Sequence, residues 1–189
     1  MSKPYTYTIP ELKNLYENAD EQIRLFEDKP TELILFKLSK STWNIREVCE
    51  HLIAFGRLYL EQINRAISSE KDPPQNSDPF QPGWLVRKWA ALFEPPYKLK
   101  IKTFPLMEPK GKKEIQATFN ALHEVQVEVI KILQEAEKYE WDLEKIKGKN
   151  PVFRLMPMSL IDFLVLMEVH QRRHFWQIEQ ILKKVGEVT

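Results

Sequence analysis

Residues 159–185 read SLIDFLVLMEVHQRRHFWQIEQILKKV, and this stretch decides the fold. Ser159 and Asp162 form the three-residue capping pattern that starts a helix. The apolar residues that follow recur at the spacing of one buried helix face. They are Leu160, Phe163, Leu164, Met167, Ile178, Ile181, Leu182 and Val185. We therefore predict a long helix from this cap to about Val185.

Two of the four histidines of the chain interrupt this apolar stripe. Continuing the helical spacing through the gap places His170 and His174 on the buried face. Side chains four residues apart on a helix are neighbours, so these two imidazoles can share one ligand. The same spacing predicts that Arg172 and Arg173 point away from the buried face and that Glu168 is solvated.

A second helix is predicted from Asn44 to about Ser68. Asn44 and Glu47 form a capping box at its start. His51 lies at the edge of its inward face, which is formed by Ile45, Val48, Leu52, Phe55, Tyr59 and Ile63. In an antiparallel pair of helices, His51 can meet the two histidines of the last helix. Glu47 could orient His51 or cap the helix, and we favour the cap.

The rest of the chain predicts two further long helices and one long connection. The first helix is expected from near Pro10 to Lys29 and the third over residues 112–138, with a short turn or helix within 31–38. Eight of the 13 prolines fall between residues 70 and 112, where residues 84–94 form an amphipathic segment. No segment favours a strand. We predict an all-α four-helix bundle, a single domain over residues 1–189, with one long crossover connection between helices two and three.

Composition excludes several functional classes. Lys and Arg (28) nearly balance Asp and Glu (27), which argues against nucleic-acid binding. The apolar runs are far shorter than the roughly 20 residues of a membrane span, and the first residues lack the apolar segment of a signal peptide. A lone cysteine, Cys49, permits no internal disulfide. These features predict a soluble cytoplasmic protein.

The three inward histidines indicate a metal site. A buried imidazole without a partner costs on the order of 1–3 kcal/mol, and a shared divalent cation would offset that cost for His51, His170 and His174 together. Neutral imidazoles bind zinc, nickel, copper or iron. The alternative is that each ring bonds a backbone carbonyl or a carboxylate without any metal. At this point both interpretations stand.

Other residues that could take part in chemistry favour structural roles. His123 lies on the flank of the third helix and is expected at the surface or its boundary. Cys49 projects away from His51, so we expect a small buried hydrophobe. Four aromatic residues could line a pocket or simply pack in the core: Tyr59, Trp84, Trp89 and Trp176.

Two stretches carry a resemblance to a known family. Residues 41–55, STWNIREVCEHLIAF, and residues 150–182, NPVFRLMPMSLIDFLVLMEVHQRRHFWQIEQIL, resemble the second-helix and last-helix signatures of the DinB/YfiT-like superfamily. The long crossover fits as well. The chain departs from the pattern at VFRLMPMS, where relatives often have a Phe-Gly turn, so the shape of the pocket mouth is expected to differ.

The resemblance implies an up-down-down-up four-helix bundle, often a homodimer, with a metal site on one histidine of the second helix and two of the fourth. By motif these are His51, His170 and His174, with zinc or nickel as the expected metal. Relatives include thiol S-transferases that use bacillithiol or mycothiol, maleylpyruvate isomerases, and proteins described only as metal-dependent hydrolases.

Three functions follow from an open three-histidine site. A metal-bound thiolate of a small thiol could attack an electrophilic substrate, which makes the protein a transferase. A metal-bound hydroxide could hydrolyse an ester or amide. That reaction usually needs a nearby carboxylate base, and no H-E-x-x-H pattern is present, so we rank it last. The third possibility, which we rank second, is a stress protein that binds metal or ligand without turnover.

Overall fold

The structure is a computed structural model that describes residues 5–76, 78–94, 102–111, 114–153 and 155–186. Its helices are α1 Ile9–Glu27, α2 Thr31–Ile34, α3 Ile45–Ser69, α4 Trp84–Phe93, α5 Ile115–Lys138 and α6 Leu160–Gly186. Two short strands, β1 Lys147–Lys149 and β2 Pro157–Ser159, pair antiparallel ahead of α6. The all-α prediction is confirmed.

The prediction that no strand would form is wrong. Each strand has three residues, too few to show an alternating pattern in the sequence. Gly148 pairs with Met158 across the ladder. A Cβ at Gly148 would lie 3.0 Å from Cε2 of Phe163, so the absence of a side chain lets this hairpin pack against the start of α6.

The two predicted capping boxes are confirmed. Asn44 and Glu47 form a reciprocal capping box at α3. Ser159 and Asp162 exchange the corresponding bonds at α6, although Ser159 also ends β2. The cap of α1 is Thr8, one residue before the helix, which the sequence analysis did not single out. The first two residues of the predicted third helix, 112 and 113, lie outside the described residues.

Contacts between the four long helices fix their directions. α1 and α5 run antiparallel, because Lys13 pairs with Glu137 while His123 pairs with Asp20. α3 and α5 run parallel, as the pairs Arg57–Glu124 and Asn64–Glu128 show. α3 and α6 run antiparallel, with His51 beside His170 and Tyr59 beside Phe163. The bundle is therefore up-down-down-up.

The crossover follows from the parallel course of α3 and α5. α3 has 25 residues and is about 37 Å long, and the chain must return along that length before α5 begins. On the way it forms α4, which packs against α6, and the 3₁₀ turn Pro105–Met107, which packs against α3. The carboxylate of Glu50 accepts hydrogen bonds from the backbone N–H groups of Lys110 and Gly111 at 2.9 and 2.7 Å, which ties the crossover to α3.

The first half of α6 lies at the centre of the fold. Every residue from Met158 to Gln171 is buried, because α1, α3 and α4 all pack against this helix. A helix that is apolar on all sides is typical of such a central position. Within the described ranges, no helix is both long and apolar enough to cross a membrane.

Candidate metal centre

Three histidines from two helices meet inside the bundle. His51 of α3 and His170 and His174 of α6 each offer one ring nitrogen, and these three atoms lie within 4.8 Å of one another. The Nε2 atoms of His51 and His170 are 3.4 Å apart. The three residues are 4, 8 and 8% exposed, respectively. The predicted convergence of the two helices at these residues is therefore what the structure has.

Aromatic side chains pack against the imidazoles and set their planes. Phe55 stacks on His170 with ring centroids 3.8 Å apart and planes 12° from parallel. Trp43 contacts His51 at 5.1 Å and stacks on His174 at 6.3 Å. Phe55 is one turn beyond His51 on α3, and Trp43 precedes the cap of that helix. Residues 43–55 thus supply both a histidine and the aromatic surfaces that contact the other two.

Two of the rings are oriented by hydrogen bonds on the side away from the cluster. Nδ1–H of His51 donates to the backbone carbonyl of Met107 at 2.9 Å. Nδ1–H of His174 donates to Oε1 of Gln177 at 3.0 Å. A carbonyl oxygen only accepts, so each bond places the proton on Nδ1 and leaves the Nε2 lone pair free. This is how ligating histidines are usually held in proteins.

The third ring is not satisfied by the described residues. Nδ1 of His170 is buried and has no hydrogen-bond partner among them. If its proton is on Nδ1, the Nε2 lone pairs of His170 and His51 face each other at 3.4 Å. If the proton is on Nε2, Nδ1 is a buried acceptor without a donor. A cation between the Nε2 atoms would remove the conflict in the first tautomer.

The separation of the nitrogens suits a metal of the expected kind. Two nitrogens about 2.0–2.1 Å from one ion at the tetrahedral angle lie about 3.4 Å from each other. The His51–His170 distance has that value. Three imidazole nitrogens also fit the donor preference of zinc and nickel. The residues present therefore fit a divalent metal.

Burial keeps all three imidazoles neutral. It lowers the pKa of His51 despite the opposing bond to Met107. It lowers the pKa of His170 well below the usual value, and the neighbouring imidazoles act in the same direction. It also lowers the pKa of His174 to about 3, with a further contribution from His51. Neutral imidazole is the form that binds metal, so no proton competes at pH 7.

The histidine cluster opens onto a cavity of about 670 Å³. Its walls are mostly apolar and come from α3, α4, α6, the crossover and the loop before β2. The lining residues nearest in sequence or contact to the histidines are Trp43, Phe55, Phe93, Met107, Arg173 and Gln177. Val152 and Phe153 of the segment VFRLMPMS also line it.

Two charged residues of α6 lie differently from the prediction. Arg173 is 7% exposed and lines the cavity, where its guanidinium lies 5.4 Å from the centroid of the Phe93 ring. Glu168 is 4% exposed and accepts two hydrogen bonds from Arg172 at 2.9 and 2.8 Å. Both predictions were wrong because α6 is covered on more than one side. Phe93 of α4 packs against Arg173, whereas Tyr16 of α1 lies near Glu168.

Three other candidate residues lie outside the histidine cluster. Glu47 caps α3 and binds Lys37, so the capping interpretation is confirmed. Cys49 is fully buried, and burial raises the pKa of its thiol to about 12. His123 is partly buried between the carboxylates of Asp20 and Glu27, as expected for a boundary position.

The aromatic candidates divide between the cavity and other places. Tyr59 and Trp89 line the cavity, whereas Trp84 is 63% exposed and Trp176 is not among the lining residues. Burial also raises the pKa of Tyr59 to about 12, which keeps its hydroxyl protonated. Trp43, Met107 and Gln177 were not predicted to belong to the site. Gln177 had a usable signal, since it follows His174 by one helical turn, but a loop carbonyl such as that of Met107 has none.

Fold and site together define a class of protein: an up-down-down-up four-helix bundle with three buried histidines, able to hold a metal, beside an apolar cavity. Residues 14–178 match the family model DinB_2, described as the DinB superfamily, and the chain belongs to that superfamily. The matched range includes all three histidines. No curated protein and no solved structure matches the chain.

Proposed function

We propose that the protein is a metal-dependent transferase that joins a low-molecular-weight thiol to an electrophilic small molecule. His51, His170 and His174 would hold the ion, with zinc or nickel expected from the donor set. The observation that carries the proposal is the position of three oriented, neutral imidazoles in the wall of a ligand-sized apolar cavity. Three ligands are the number that catalytic metal sites usually take from the protein.

A bound divalent metal would supply the means to hold a small thiol as thiolate at neutral pH. Three neutral imidazoles leave the charge of such an ion uncompensated, so an anionic sulfur is favoured beside them. The residues of the chain would orient the imidazoles and exclude water. Met107 and Gln177 keep the imidazole lone pairs directed. Trp43, Phe55 and Phe93 exclude water from one side of the cluster.

The reaction balances without a protein nucleophile. The sulfur attacks an electrophilic carbon, the C–S bond forms, and a C–halide bond breaks with the electron pair leaving on the halide, while the thiol proton passes to solvent. Cys49, buried with a raised thiol pKa, is not needed. Among the described lining residues there is no aspartate or glutamate, so a carboxylate base for hydrolysis is missing from that set. This favours transfer over hydrolysis.

Turnover of 1-chloro-2,4-dinitrobenzene tests the proposal, with cysteine, glutathione and bacillithiol as thiols and with zinc or nickel supplied. We expect a thiol-dependent, metal-dependent rate that His170→Ala abolishes and that His123→Ala, which removes the one histidine outside the cluster, leaves unchanged. A rate equal to that of the buffer with every thiol and metal would reject the transferase.

The same absence of carboxylates among the described lining residues also suits a protein that binds metal and ligand without turnover. In that case mass spectrometry would find the electrophile bound but chemically unchanged after incubation with thiol. We rank this second, because a metal site open to a cavity is the arrangement of catalytic sites.

We also propose the domain organisation, the cellular location and the oligomeric state of the protein. We expect residues 1–189 to form one domain, since the family match extends over most of the chain, and we expect a cytoplasmic homodimer. Light scattering on the purified protein would test the dimer, and a single cooperative unfolding transition would support one domain.

A further inference from the structure

The charges that face the cavity have one sign. Of the described residues that line it, Lys102 and Arg173 carry full charges and none carries a carboxylate. Lys102 belongs to the crossover and is exposed, whereas Arg173 belongs to α6 and is 7% exposed. A low-dielectric cleft lined by charges of a single sign concentrates ligands of the opposite sign.

Arg173 lies deep in the cavity, next to the histidines. It adjoins His174 in the chain and follows His170 by three residues, close to one helical turn. Its guanidinium lies 5.4 Å from the Phe93 ring centroid, an arrangement in which the aromatic face supports the cation. Its charge lowers the pKa of His170 and of His174 in the same direction as burial does.

The rest of the wall is suited to an apolar molecule. Trp89 contacts Phe153 with ring centroids 6.1 Å apart, and Phe104 contacts Phe153 at 6.0 Å. Phe104 and Phe153 are 45 and 50% exposed, so aromatic surface continues from the cavity to its mouth. The volume of about 670 Å³ is that of a site for a drug-sized ligand.

We propose that the cavity selects an organic acid, a molecule with an apolar body and one carboxylate that Arg173 binds and Lys102 attracts. A guanidinium offers two parallel N–H donors that match a carboxylate, whereas an ammonium acts as a point charge. The acid group would anchor the electrophilic reactant with its apolar part against the aromatic walls. This inference rests on the proposed function only in taking the cavity as the place where the reactant binds.

Binding of 2-naphthylacetate and of the uncharged 2-naphthylacetamide to the metal-free protein tests the inference without turnover. Calorimetry gives both affinities for wild type, Arg173→Gln, Arg173→Lys and Lys102→Gln. Lys88→Gln is the matched control for Lys102, because Lys88 is an exposed lysine of α4 that does not line the cavity.

We expect the acid to bind at least about tenfold more tightly than the amide, the difference that about 1.4 kcal/mol produces. Arg173→Gln should remove most of this preference, Arg173→Lys should restore part of it, and Lys102→Gln should weaken the acid by a smaller factor. Amide binding should stay unchanged throughout, as should both affinities in Lys88→Gln. Equal binding of acid and amide by wild type would overturn the inference, and so would loss of both ligands together in folded variants.

Mercaptosuccinate, a polar thiol with two carboxylates, tests whether Arg173 binds the carboxylate of the thiol reactant and not that of the electrophile. If it binds more tightly than 2-naphthylacetate and depends equally on Arg173, the apolar acid is the wrong ligand class. If Arg173→Gln does not fold, the acid preference of wild type and its partial reduction in Lys102→Gln still decide the outcome. Acid selectivity without any thiol transfer would reject the proposed function and leave this inference standing.

Discussion

The Nε2 atoms of His51 and His170 lie 3.4 Å apart, while the Nδ1–H of His51 already donates to the carbonyl of Met107. The proton on Nδ1 means that His51 presents a lone pair to His170. Nothing among the described residues occupies Nδ1 of His170. With its proton on Nδ1, His170 turns its Nε2 lone pair toward that of His51, and the two acceptors are then separated by a distance that suits a shared cation.

Elemental analysis of protein purified without a histidine tag or a nickel column should find close to one divalent metal per chain. His51→Ala should lose it, because two imidazoles on one helix give a far weaker site than three. His123→Ala is the control, since its imidazole contacts Asp20 and Glu27 instead. Full retention of metal by His51→Ala, or no metal in the wild type after reconstitution, would contradict the predicted site.

The metal-free protein should lose stability as the pH falls below about 6.5, the usual histidine pKa. The unfolded chain takes up protons there, whereas burial lowers the pKa of His174 to about 3 in the folded chain, so protons favour unfolding. Each such histidine contributes up to about 1.4 kcal/mol of unfolding free energy per pH unit. Urea unfolding at pH 7.0 and 5.5 measures the loss, above the range where most carboxylates titrate.

The variant His174→Asn distinguishes this loss of unfolding free energy from other effects of acid. His174→Asn in the metal-free protein should show a smaller drop between the two pH values than wild type, because one titrating group is gone. His123→Asn should keep the full contribution of the three buried histidines. Identical drops in wild type and His174→Asn would show that the buried imidazole does not set the pH dependence.

Gly56→Ala should destabilise the bundle although alanine favours helices by about 1 kcal/mol over glycine. A Cβ at Gly56 would lie 2.7 Å from Cγ1 of Val125, and the β-branched side chain of valine cannot turn away easily. We expect a net loss of about 1–3 kcal/mol by urea unfolding, the usual cost of overpacking. In the Val125→Ala background the same change should be much less harmful. Equal effects in both backgrounds would mean that this contact does not limit the approach of α3 and α5.

Helical periodicity was sufficient to predict the histidine cluster. His170 and His174 continue an apolar stripe, and His51 lies beside one, so each ring was expected where two helices pack. The caps at Asn44 and Ser159 fixed how far along each helix the histidines lie. The position of a histidine along its helix and the helix face on which it lies are both local properties of the sequence. These two quantities were enough to predict the cluster.

The errors concern contacts that periodicity does not describe. Arg173 and Glu168 were placed in solvent because a bundle helix usually has one buried face. The stretch Leu160–Val169, apolar on almost every side, was the available sign that α6 is covered from several directions. The carbonyl of Met107 comes from an irregular crossover, and a backbone acceptor leaves no mark in the amino-acid sequence.

Gln177→Leu should weaken metal binding about 10- to 100-fold, the usual cost of losing a partner that orients a ligating histidine. The Oε1 of Gln177 is the acceptor for Nδ1–H of His174, and without it the ring can rotate or change tautomer. Gln180→Leu is the matched control, since Gln180 lies three residues further along α6 and does not line the cavity. Competition with a chromophoric chelator measures both affinities. If the two variants bind metal equally well, Gln177 does not position His174 for metal binding, and the hydrogen bond is a packing feature of α6.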